Sequence, residues 1–431
     1  MKKITTRAFS VLLIAALVIF GMGVYVLRYI NDGEDWAMYF SKANSGSTGE
    51  LIDRNGVMLA SFSATENLFA ADEETRTANY HVTGDYWGRT GTGVLSNFWN
   101  DLSGFSLLTG TTKAEHSTMQ LNIDSSLDNA AFAALAGRKG AVLLCNYQTG
   151  ELLCMVSAPS VDPADADAEP EDGAYINRCL SASFVPGSVF KLVTAAAAIE
   201  NIGDIDERSF YCEGVYTIAG VDITCSGTHY SQTFEQALAN SCNSAFAQIT
   251  VLLGQDVMVK YVKQYGFLDT HELDGITTAA GTYPTEFVGD PELAWSGIGQ
   301  STDLICPYSL LRYVCAIANG GVLCEPRLIM SDRQPEKSRL VEAATAEKLA
   351  SMMSYSVAAH YGGESNFPGL NLSAKTGTAE LGDGTTHSWF AGFLNDEEHP
   401  YAFVVFVEQG GGGLSAAGGV ANTLLQTAIS K

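Results

Sequence analysis

Ser188 and Lys191 are a pair of side chains with the right types and spacing for covalent chemistry. Pro186 and Gly187 predict a turn just before them, and the alanine-rich residues 192–200 have high helix propensity. A serine and a lysine three residues apart then lie on one helical face. A serine hydroxyl needs an adjacent base to act as a nucleophile, and a lysine desolvated by an apolar helix is such a base. The pair predicts acyl transfer, although a helix N-terminal serine beside an exposed lysine is the ordinary alternative.

A second polar motif, Ser241-Cys242-Asn243, lies between two segments that have helical sequence patterns, residues 233–239 and 245–253. Its small polar residues favour a loop or a helix cap. Taken alone, a helix cap explains this motif as well as a functional role does.

A third motif, Lys375-Thr376-Gly377, begins a strand-like segment that runs to residue 380. Residues 381–384 predict a turn, and residues 388–393 predict the returning strand of a hairpin. An edge strand would also explain this stretch. Ser-x-x-Lys, Ser-x-Asn and Lys-Thr-Gly in this order, however, form the combined signature of penicillin-binding proteins and class A β-lactamases.

The chain resembles a class B penicillin-binding protein, a peptidoglycan D,D-transpeptidase, from about residue 49 to the C-terminus. Further stretches that carry the resemblance are residues 53–56, 150–159, 299–300 and 318–321. The short N-terminal part is similar to that of the small-pedestal members of the class. Family members usually have glycine where this chain has Tyr230 and Ser301, and arginine where it has Thr48. These three departures lie outside the motifs.

The resemblance implies that Ser188 is the acyl-accepting nucleophile and that neutral Lys191 takes its proton. Ser241 would relay a proton to the leaving amine, and Asn243 would hold the substrate. The implied substrates are peptidoglycan stem peptides ending in D-alanyl-D-alanine, with an amine from a neighbouring strand resolving the acyl-enzyme. β-Lactams would acylate Ser188, and neither a metal nor an organic cofactor is implied.

The Lys-Thr-Gly strand is implied to bind the end of the stem peptide. Lys375 would add positive potential, and Thr376 and Thr378, on either side of Gly377, would bind the terminal carboxylate. The backbone N–H groups of Ser188 and Thr378 would form the oxyanion hole.

The elements that must position these motifs have a pattern typical of an α+β fold rather than of alternating β-α-β units. Strands are predicted over residues 118–123, 140–147, 151–156 and 401–408, and helices over residues 124–136, 307–319, 345–356 and 420–430. The resemblance implies a five-stranded antiparallel sheet flanked by helices, with an all-helical lobe beside it and the active site between the two. Before it, residues 49–61 predict a strand–turn–strand unit, and the resemblance implies that this unit belongs to a non-catalytic pedestal.

The N-terminus contains a candidate membrane anchor. Residues 8–27 contain no charged side chain, and that length is enough to cross a bilayer as a helix. The basic residues Lys2, Lys3 and Arg7 precede it, which predicts a cytoplasmic N-terminus and an extracellular remainder. We therefore divide the chain into a tail (1–7), a transmembrane helix (8–28), a linker and pedestal (31–115, with the linker over residues 31–47) and a transpeptidase domain (116–431). A cleaved signal peptide is the rival interpretation.

Composition narrows the possible partners. The 431 residues have a formal net charge of −24, which argues against nucleic acid because few groups would neutralise phosphates. The resemblance implies a polytopic membrane glycosyltransferase as a partner.

The cysteines give a weaker signal. Nine is an odd count, and most lie in apolar contexts that predict small buried side chains. Cys212 and Cys225 bracket a predicted hairpin, and an extracellular disulfide between them is left open. Zinc is less favoured, because His229 is the only nearby imidazole and no Cys-x-x-Cys pair exists.

Several functions remain open on the sequence alone. A D,D-carboxypeptidase or a β-lactamase would use the same motifs but would let water resolve the acyl-enzyme. A non-enzymatic β-lactam sensor or a cell-wall scaffold is the alternative from a different class. The anchor, the pedestal and the Lys375 strand favour the transpeptidase.

Overall fold

A computed structural model of the chain describes residues 2–41, 48–63, 66–103, 105–106, 110–111, 117–165 and 169–431. The expected pedestal boundary at residues 115–116 and the end of the expected linker, residues 42–47, lie outside these ranges.

Helices occur throughout the described part of the chain. They are α1 (Lys2–Ser41), α2 (Glu73–Ala78), α3 (Tyr80–Thr83), α4 (Val94–Asn97), α5 (Trp99–Ser103), α6 (Ser125–Leu135), α7 (Lys191–Asn201), α8 (Phe234–Ala239), α9 (Asn243–Leu253), α10 (Gln255–Gln264), α11 (Asp290–Ser296), α12 (Pro307–Ala318), α13 (Ala343–His360) and α14 (Gly419–Ile429). Short 3₁₀ turns span Gly187–Phe190 and Gly363–Ser365, and one π-helical turn spans Leu414–Gly418.

The strands of the described residues are mostly short. They are β1 (Gly49–Ile52), β2 (Met58–Phe62), β3 (Asn67–Phe69), β4 (Phe105–Ser106), β5 (Gly110–Thr111), β6 (Ser117–Gln120), β7 (Gly140–Asn146), β8 (Leu152–Ala158), β9 (Phe210–Cys212), β10 (Val215–Ile218), β11 (Val221–Thr224), β12 (Tyr230–Gln232), β13 (Glu272–Leu273), β14 (Ile276–Thr277), β15 (Val322–Cys324), β16 (Lys337–Arg339), β17 (Leu372–Glu380), β18 (Thr386–Leu394) and β19 (Tyr401–Val407).

The central sheet has five strands in the order β17-β18-β19-β7-β8, and all neighbours are antiparallel. The β7–β8 pair therefore joins the three C-terminal strands through β7 and β19, with Leu143 opposite Val404. This confirms the expected five-stranded sheet and its assembly from both ends of the catalytic region.

Both faces of this sheet are covered, which explains why β7, β8 and β19 are almost continuously apolar. One face packs in a core with α6 and α14, through residues such as Leu144 and Leu424. The opposite face, with Leu143 and Phe406, belongs to a larger core that includes α7, α9 and α12. Because successive side chains of a strand point to opposite faces, neighbouring residues enter different cores.

The second lobe lies in the chain between β8 and β17. It is mainly helical, as expected, and its described residues also form four strand pairs, β9–β12, β10–β11, β13–β14 and β15–β16. The β10–β11 pair is the hairpin expected between Cys212 and Cys225. This hairpin matters for function because it reaches the catalytic cleft.

Three strands of the pedestal pair with β6, which follows the expected boundary at residues 115–116, in a sheet with the order β3-β2-β1-β6. β1 and β2 form the expected strand–turn–strand unit, and the buried Asp53 carboxylate accepts hydrogen bonds from the backbone N–H groups of Asn55 and Val57, both at 2.8 Å. Phe62, Tyr86 and Trp99 belong to its buried core, with the ring centroids of Phe62 and Trp99 4.4 Å apart.

The N-terminal helix is longer than expected. The span that is apolar and long enough to cross a membrane is Ala8–Arg28, in agreement with the sequence prediction, but the helix continues to Ser41. The part of the expected linker before residue 42 is therefore helical. Extending an existing helix adds one hydrogen bond per residue without a new nucleation step, which favours this continuation.

Candidate active site

Ser188 lies on the 3₁₀ turn that leads into α7, so the expected helix start is present. The turn depends on Gly187, whose φ is +55°. A Cβ at this position would lie 2.7 Å from the carbonyl oxygen of Thr378, closer than real contacts allow. The absence of a side chain therefore lets the nucleophile turn pack directly on β17. Ser188 itself is half-buried.

Lys191 is fully buried and directed at the serine. Its Nζ lies 3.1 Å from Ser188 Oγ, 2.7 Å from Asn243 Oδ1 and 2.6 Å from the carbonyl oxygen of Ser241. Burial and, secondarily, repulsion by Lys375 lower the pKa of Lys191 to about 7. A large fraction of this lysine is therefore neutral near pH 7 and able to accept a proton.

The Ser241–Asn243 motif forms the link between α8 and α9, as the sequence predicted. Ser241 has a φ of +52°, a left-handed conformation that is strained for a residue with a side chain. Asn243 Nδ2 donates a hydrogen bond of 2.8 Å to the carbonyl oxygen of Thr224, at the end of β11. The motif is thus tied to the β10–β11 hairpin as well as to Lys191.

Lys375 approaches Ser241 from β17. Its Nζ lies 3.0 Å from Ser241 Oγ, and Lys191 Nζ lies 3.4 Å from the same oxygen. The Ser241 hydroxyl therefore bridges two buried lysines. Burial lowers the pKa of Lys375 to about 7 as well.

Tyr361 is a neighbour of this site that sequence reasoning missed. Its hydroxyl lies 3.4 Å from Lys375 Nζ and 3.1 Å from Thr376 Oγ1, and it accepts a hydrogen bond of 3.3 Å from the Thr376 backbone N–H. It follows α13 directly and belongs to no motif, so no sequence signal could have identified it.

The three motifs meet in one cleft of about 290 Å³. Its lining residues are Ser188, Thr224, Cys225, Ser226, Ser241, Asn243, Thr376, Thr378 and Glu380. A larger cavity of about 710 Å³ also contacts Thr376 and Thr378. The two threonines on β17 therefore separate the space above the serine from a second space that is able to accept more of a substrate.

Two glycines, Gly377 and Gly299, allow close backbone packing around the nucleophile turn. Gly377 faces the nucleophile turn, and a Cβ there would lie 3.0 Å from the carbonyl oxygen of Pro186. Gly299, with a φ of +75°, accepts a hydrogen bond of 2.9 Å at its carbonyl from the Gly187 N–H.

The structure brings all eight site residues that were selected from the sequence to one site, with Gly377 in a packing position and the others around the cleft. The arrangement provides a hydroxyl nucleophile, a buried base and a shared hydroxyl that is able to pass a proton between two amines.

Comparisons with known proteins identify the family of the chain. Residues 140–426 match the family model of the penicillin-binding protein transpeptidase domain. The chain is 28% identical over 317 residues to the peptidoglycan D,D-transpeptidase PbpA of Mycolicibacterium smegmatis, an alignment that covers 65% of this chain and 64% of that protein. It is 30% identical over 282 residues to stage V sporulation protein D of Bacillus subtilis, covering 61% of this chain and 43% of that protein. The matched region thus spans less than two thirds of the length of either relative.

Solved structures show the same fold. The D,D-transpeptidase domain of a peptidoglycan glycosyltransferase from Eggerthella lenta has a TM-score of 0.77 at 26% identity, covering 90% of this chain and 99% of that one. Penicillin-binding protein A from Mycobacterium tuberculosis, solved as a ceftriaxone acyl-enzyme, has a TM-score of 0.75 at 22% identity, covering 89% and 99%.

Proposed function

Because the chain belongs to the penicillin-binding protein transpeptidase family, with relatives of class B, we propose that it is a peptidoglycan D,D-transpeptidase whose acyl-enzyme forms on Ser188. The observation that carries this proposal is the buried Lys191 amine, 3.1 Å from Ser188 Oγ and lowered in pKa to about 7. That pair supplies what a serine nucleophile needs at neutral pH.

Acylation would proceed by attack of Ser188 Oγ on the carbonyl carbon between the two terminal D-alanines. The hydroxyl proton passes to Lys191 Nζ as the C–O bond forms. The backbone N–H groups of Ser188 and Thr378 hold the oxyanion, a contribution that is typically worth about 3–4 kcal/mol per donor. The C–N bond then breaks, and the departing D-alanine nitrogen takes a proton from Ser241 Oγ, which is replenished from a lysine amine.

Deacylation would reverse the roles of these groups. An amine of a neighbouring stem peptide attacks the ester carbonyl and gives up a proton through Ser241, and Ser188 Oγ recovers its hydrogen as it leaves. Thr376 and Thr378 bind the terminal carboxylate of the donor peptide, with Lys375 supplying positive potential behind them. Asn243 orients the peptide through an amide hydrogen bond.

The proposal extends to location and partners. Ala8–Arg28 is an apolar helical span of 21 residues that is not buried in the described part of the chain, as suits a single-pass anchor. The basic residues before it favour an N-terminus in the cytoplasm and a catalytic domain outside. We retain the division at residues 7, 28, 31 and 115–116, and a polytopic glycosyltransferase as the membrane partner. Reporter fusions at each terminus test the orientation, and co-purification from membranes tests the partner.

Covalent labelling of the full-length protein in detergent with a fluorescent penicillin tests the catalytic assignment. We expect a stable adduct by intact mass on the wild type and none on Ser188→Ala. Ser226→Ala, which removes a hydroxyl from the same cleft, is the matched control and should still be labelled.

Products then distinguish the related reactions. With a D-alanyl-D-alanine peptide and an amine acceptor, a transpeptidase yields the cross-linked product. Hydrolysed peptide alone would assign a carboxypeptidase, and rapid turnover of the penicillin label would assign a β-lactamase. Folded wild type that forms no adduct would contradict the Ser188 proposal.

A further inference from the structure

Four metal-ligating side chains converge beside the catalytic cleft. Cys212 ends β9, Cys225 follows β11, His229 precedes β12, and Cys242 is the middle residue of the Ser241–Asn243 motif. Their ligand atoms all lie within 4.8 Å of one another. The sequence spacing is Cys-x₁₂-Cys-x₃-His-x₁₂-Cys, so the fold assembles the cluster from separate segments.

The two distances from Cys225 Sγ to its neighbours in the cluster match tetrahedral zinc. Cys225 Sγ lies 3.8 Å from Cys242 Sγ and 3.6 Å from His229 Nδ1. A zinc ion with bonds of about 2.3 Å to sulfur and about 2.0–2.1 Å to nitrogen places two sulfurs about 3.8 Å apart, and sulfur and nitrogen about 3.6 Å apart. Three thiolates and one imidazole are also the ligand set of a common structural zinc site.

The surroundings of the sulfurs suit thiolates. Each sulfur accepts a backbone N–H: Cys212 Sγ from Gly214 at 3.4 Å, Cys225 Sγ from Asn243 at 3.3 Å, and Cys242 Sγ from Ala245 at 3.4 Å. Such donors orient metal ligands and stabilise their negative charge. Cys212 and Cys242 are buried, and all nine cysteines of the chain are free thiols, so the disulfide left open between Cys212 and Cys225 is not formed in the structure.

We propose that Cys212, Cys225, His229 and Cys242 bind one structural zinc ion that fixes the wall of the catalytic cleft. Binding converts three thiols to thiolates, and their protons pass to solvent. Four protein ligands complete the tetrahedron, so the ion has no open position for substrate.

The position of the cluster gives the ion a specific task. Cys242 joins Ser241 and Asn243, which contact Lys191, and Cys225 lies with Thr224 on the lining of the cleft. One ion would therefore couple the loop that carries the proton-relaying serine to the hairpin opposite it. The sequence argued against zinc because it lacks a Cys-x-x-Cys pair, but the ligands come from segments that only the fold brings together.

Metal analysis of the full-length protein, purified in detergent without chelators, tests the proposal. We expect one zinc per chain in the wild type and background zinc in Cys225→Ser and His229→Ala. Cys324→Ala, which removes a buried thiol outside the cluster, is the matched control and should keep its zinc. Ser188→Ala should also keep it, so metal binding is measured independently of acyl transfer.

A reversible experiment on the wild-type protein tests the proposal without depending on variants that fail to fold. Removal of the metal with a high-affinity zinc chelator should lower Tm by several degrees and slow penicillin labelling, and added Zn²⁺ should restore both. Substituted Co²⁺ should show the intense visible bands of a tetrahedral ion and a sulfur-to-cobalt charge-transfer band. Wild-type protein that contains no zinc and takes up neither ion would overturn the proposal, as would an intact mass two hydrogens lighter from a disulfide within the cluster.

Discussion

The buried amine of Lys191 predicts a specific pH dependence for acylation of Ser188. Desolvation is the main cause that lowers its pKa to about 7, and repulsion by Lys375 acts in the same direction. Cys242 and Cys225 face the same amine and act in the opposite direction as smaller causes. Since only the neutral amine accepts the serine proton, the rate follows the neutral fraction of Lys191.

The magnitude follows from that pKa. With a pKa of about 7, the neutral fraction is about one tenth at pH 6 and about nine tenths at pH 8, so the second-order acylation rate constant should rise about tenfold across this window. A lysine at its ordinary pKa of 10.5 would instead give a rate that keeps rising steeply above pH 8. Because Lys191 and Lys375 interact, the observed midpoint belongs to the pair.

Stopped-flow acylation with a chromogenic β-lactam between pH 5.5 and 9 measures the profile. Lys375→Met removes the like charge, so we expect a slower enzyme whose midpoint moves to higher pH. Lys260→Met makes the same change on the exposed surface of α10 and should leave the midpoint in place. A rate that is flat between pH 6 and 8 would refute Lys191 as the base, and a midpoint above pH 9 in the wild type would refute the lowering of its pKa.

Three further predictions concern the scaffold. Tyr230→Gly and Ser301→Gly should each raise the free energy of unfolding by about 0.5–1 kcal/mol in denaturant titrations. The reason is that the φ values of +53° and +120° at these positions strain a residue with a side chain, and a decrease in the free energy of unfolding would contradict this. Gly299→Ala should reduce penicillin labelling while the zinc content is kept, because its Cβ would overlap the backbone of the nucleophile turn; unchanged labelling would show that the turn relaxes. Asp53→Ala should lower the free energy of unfolding by about 3 kcal/mol, since the buried carboxylate also accepts hydrogen bonds from Ser125 N at 3.1 Å and Oγ at 2.7 Å; a loss below about 1 kcal/mol would count against this reasoning.

Local patterns predicted much of this fold. The helix after Ser188, the hairpin that carries Lys375 and the β7–β8 pair all follow from residues that are close in sequence. The order of the three motifs then predicted which distant elements meet, because the family resemblance supplies the topology. The family resemblance is also consistent with the backbone at Tyr230 and Ser301. Both residues have a positive φ, and relatives usually have glycine at these positions.

The remaining features depend on contacts between distant segments. Tyr361 carries no motif, yet the fold places its hydroxyl between Lys375 and Thr376. The ligands of the cysteine–histidine cluster are spread along the sequence, because separate segments around β9, the β10–β11 hairpin and the start of α9 supply them. Residues 31–41 were expected to belong to the linker but are helical, because an existing helix propagates through polar residues at little cost.

The strain at Ser241 connects the two proposals. Its hydroxyl lies between the amines of Lys191 and Lys375, and its carbonyl accepts from Lys191, while its backbone is left-handed. Such a conformation costs on the order of 1–3 kcal/mol and persists only where neighbouring groups hold it. On one side, the capping box of Thr233 and Gln236 fixes α8. On the other side, the Cys242 side chain caps α9. A bound zinc ion would also hold Cys242, which is the residue next to Ser241. Loss of the ion should therefore slow proton relay at Ser241 before it unfolds the domain. An enzyme that has lost its zinc to a chelator but is still folded should acylate more slowly. The pH midpoint of its acylation rate should still reflect Lys191.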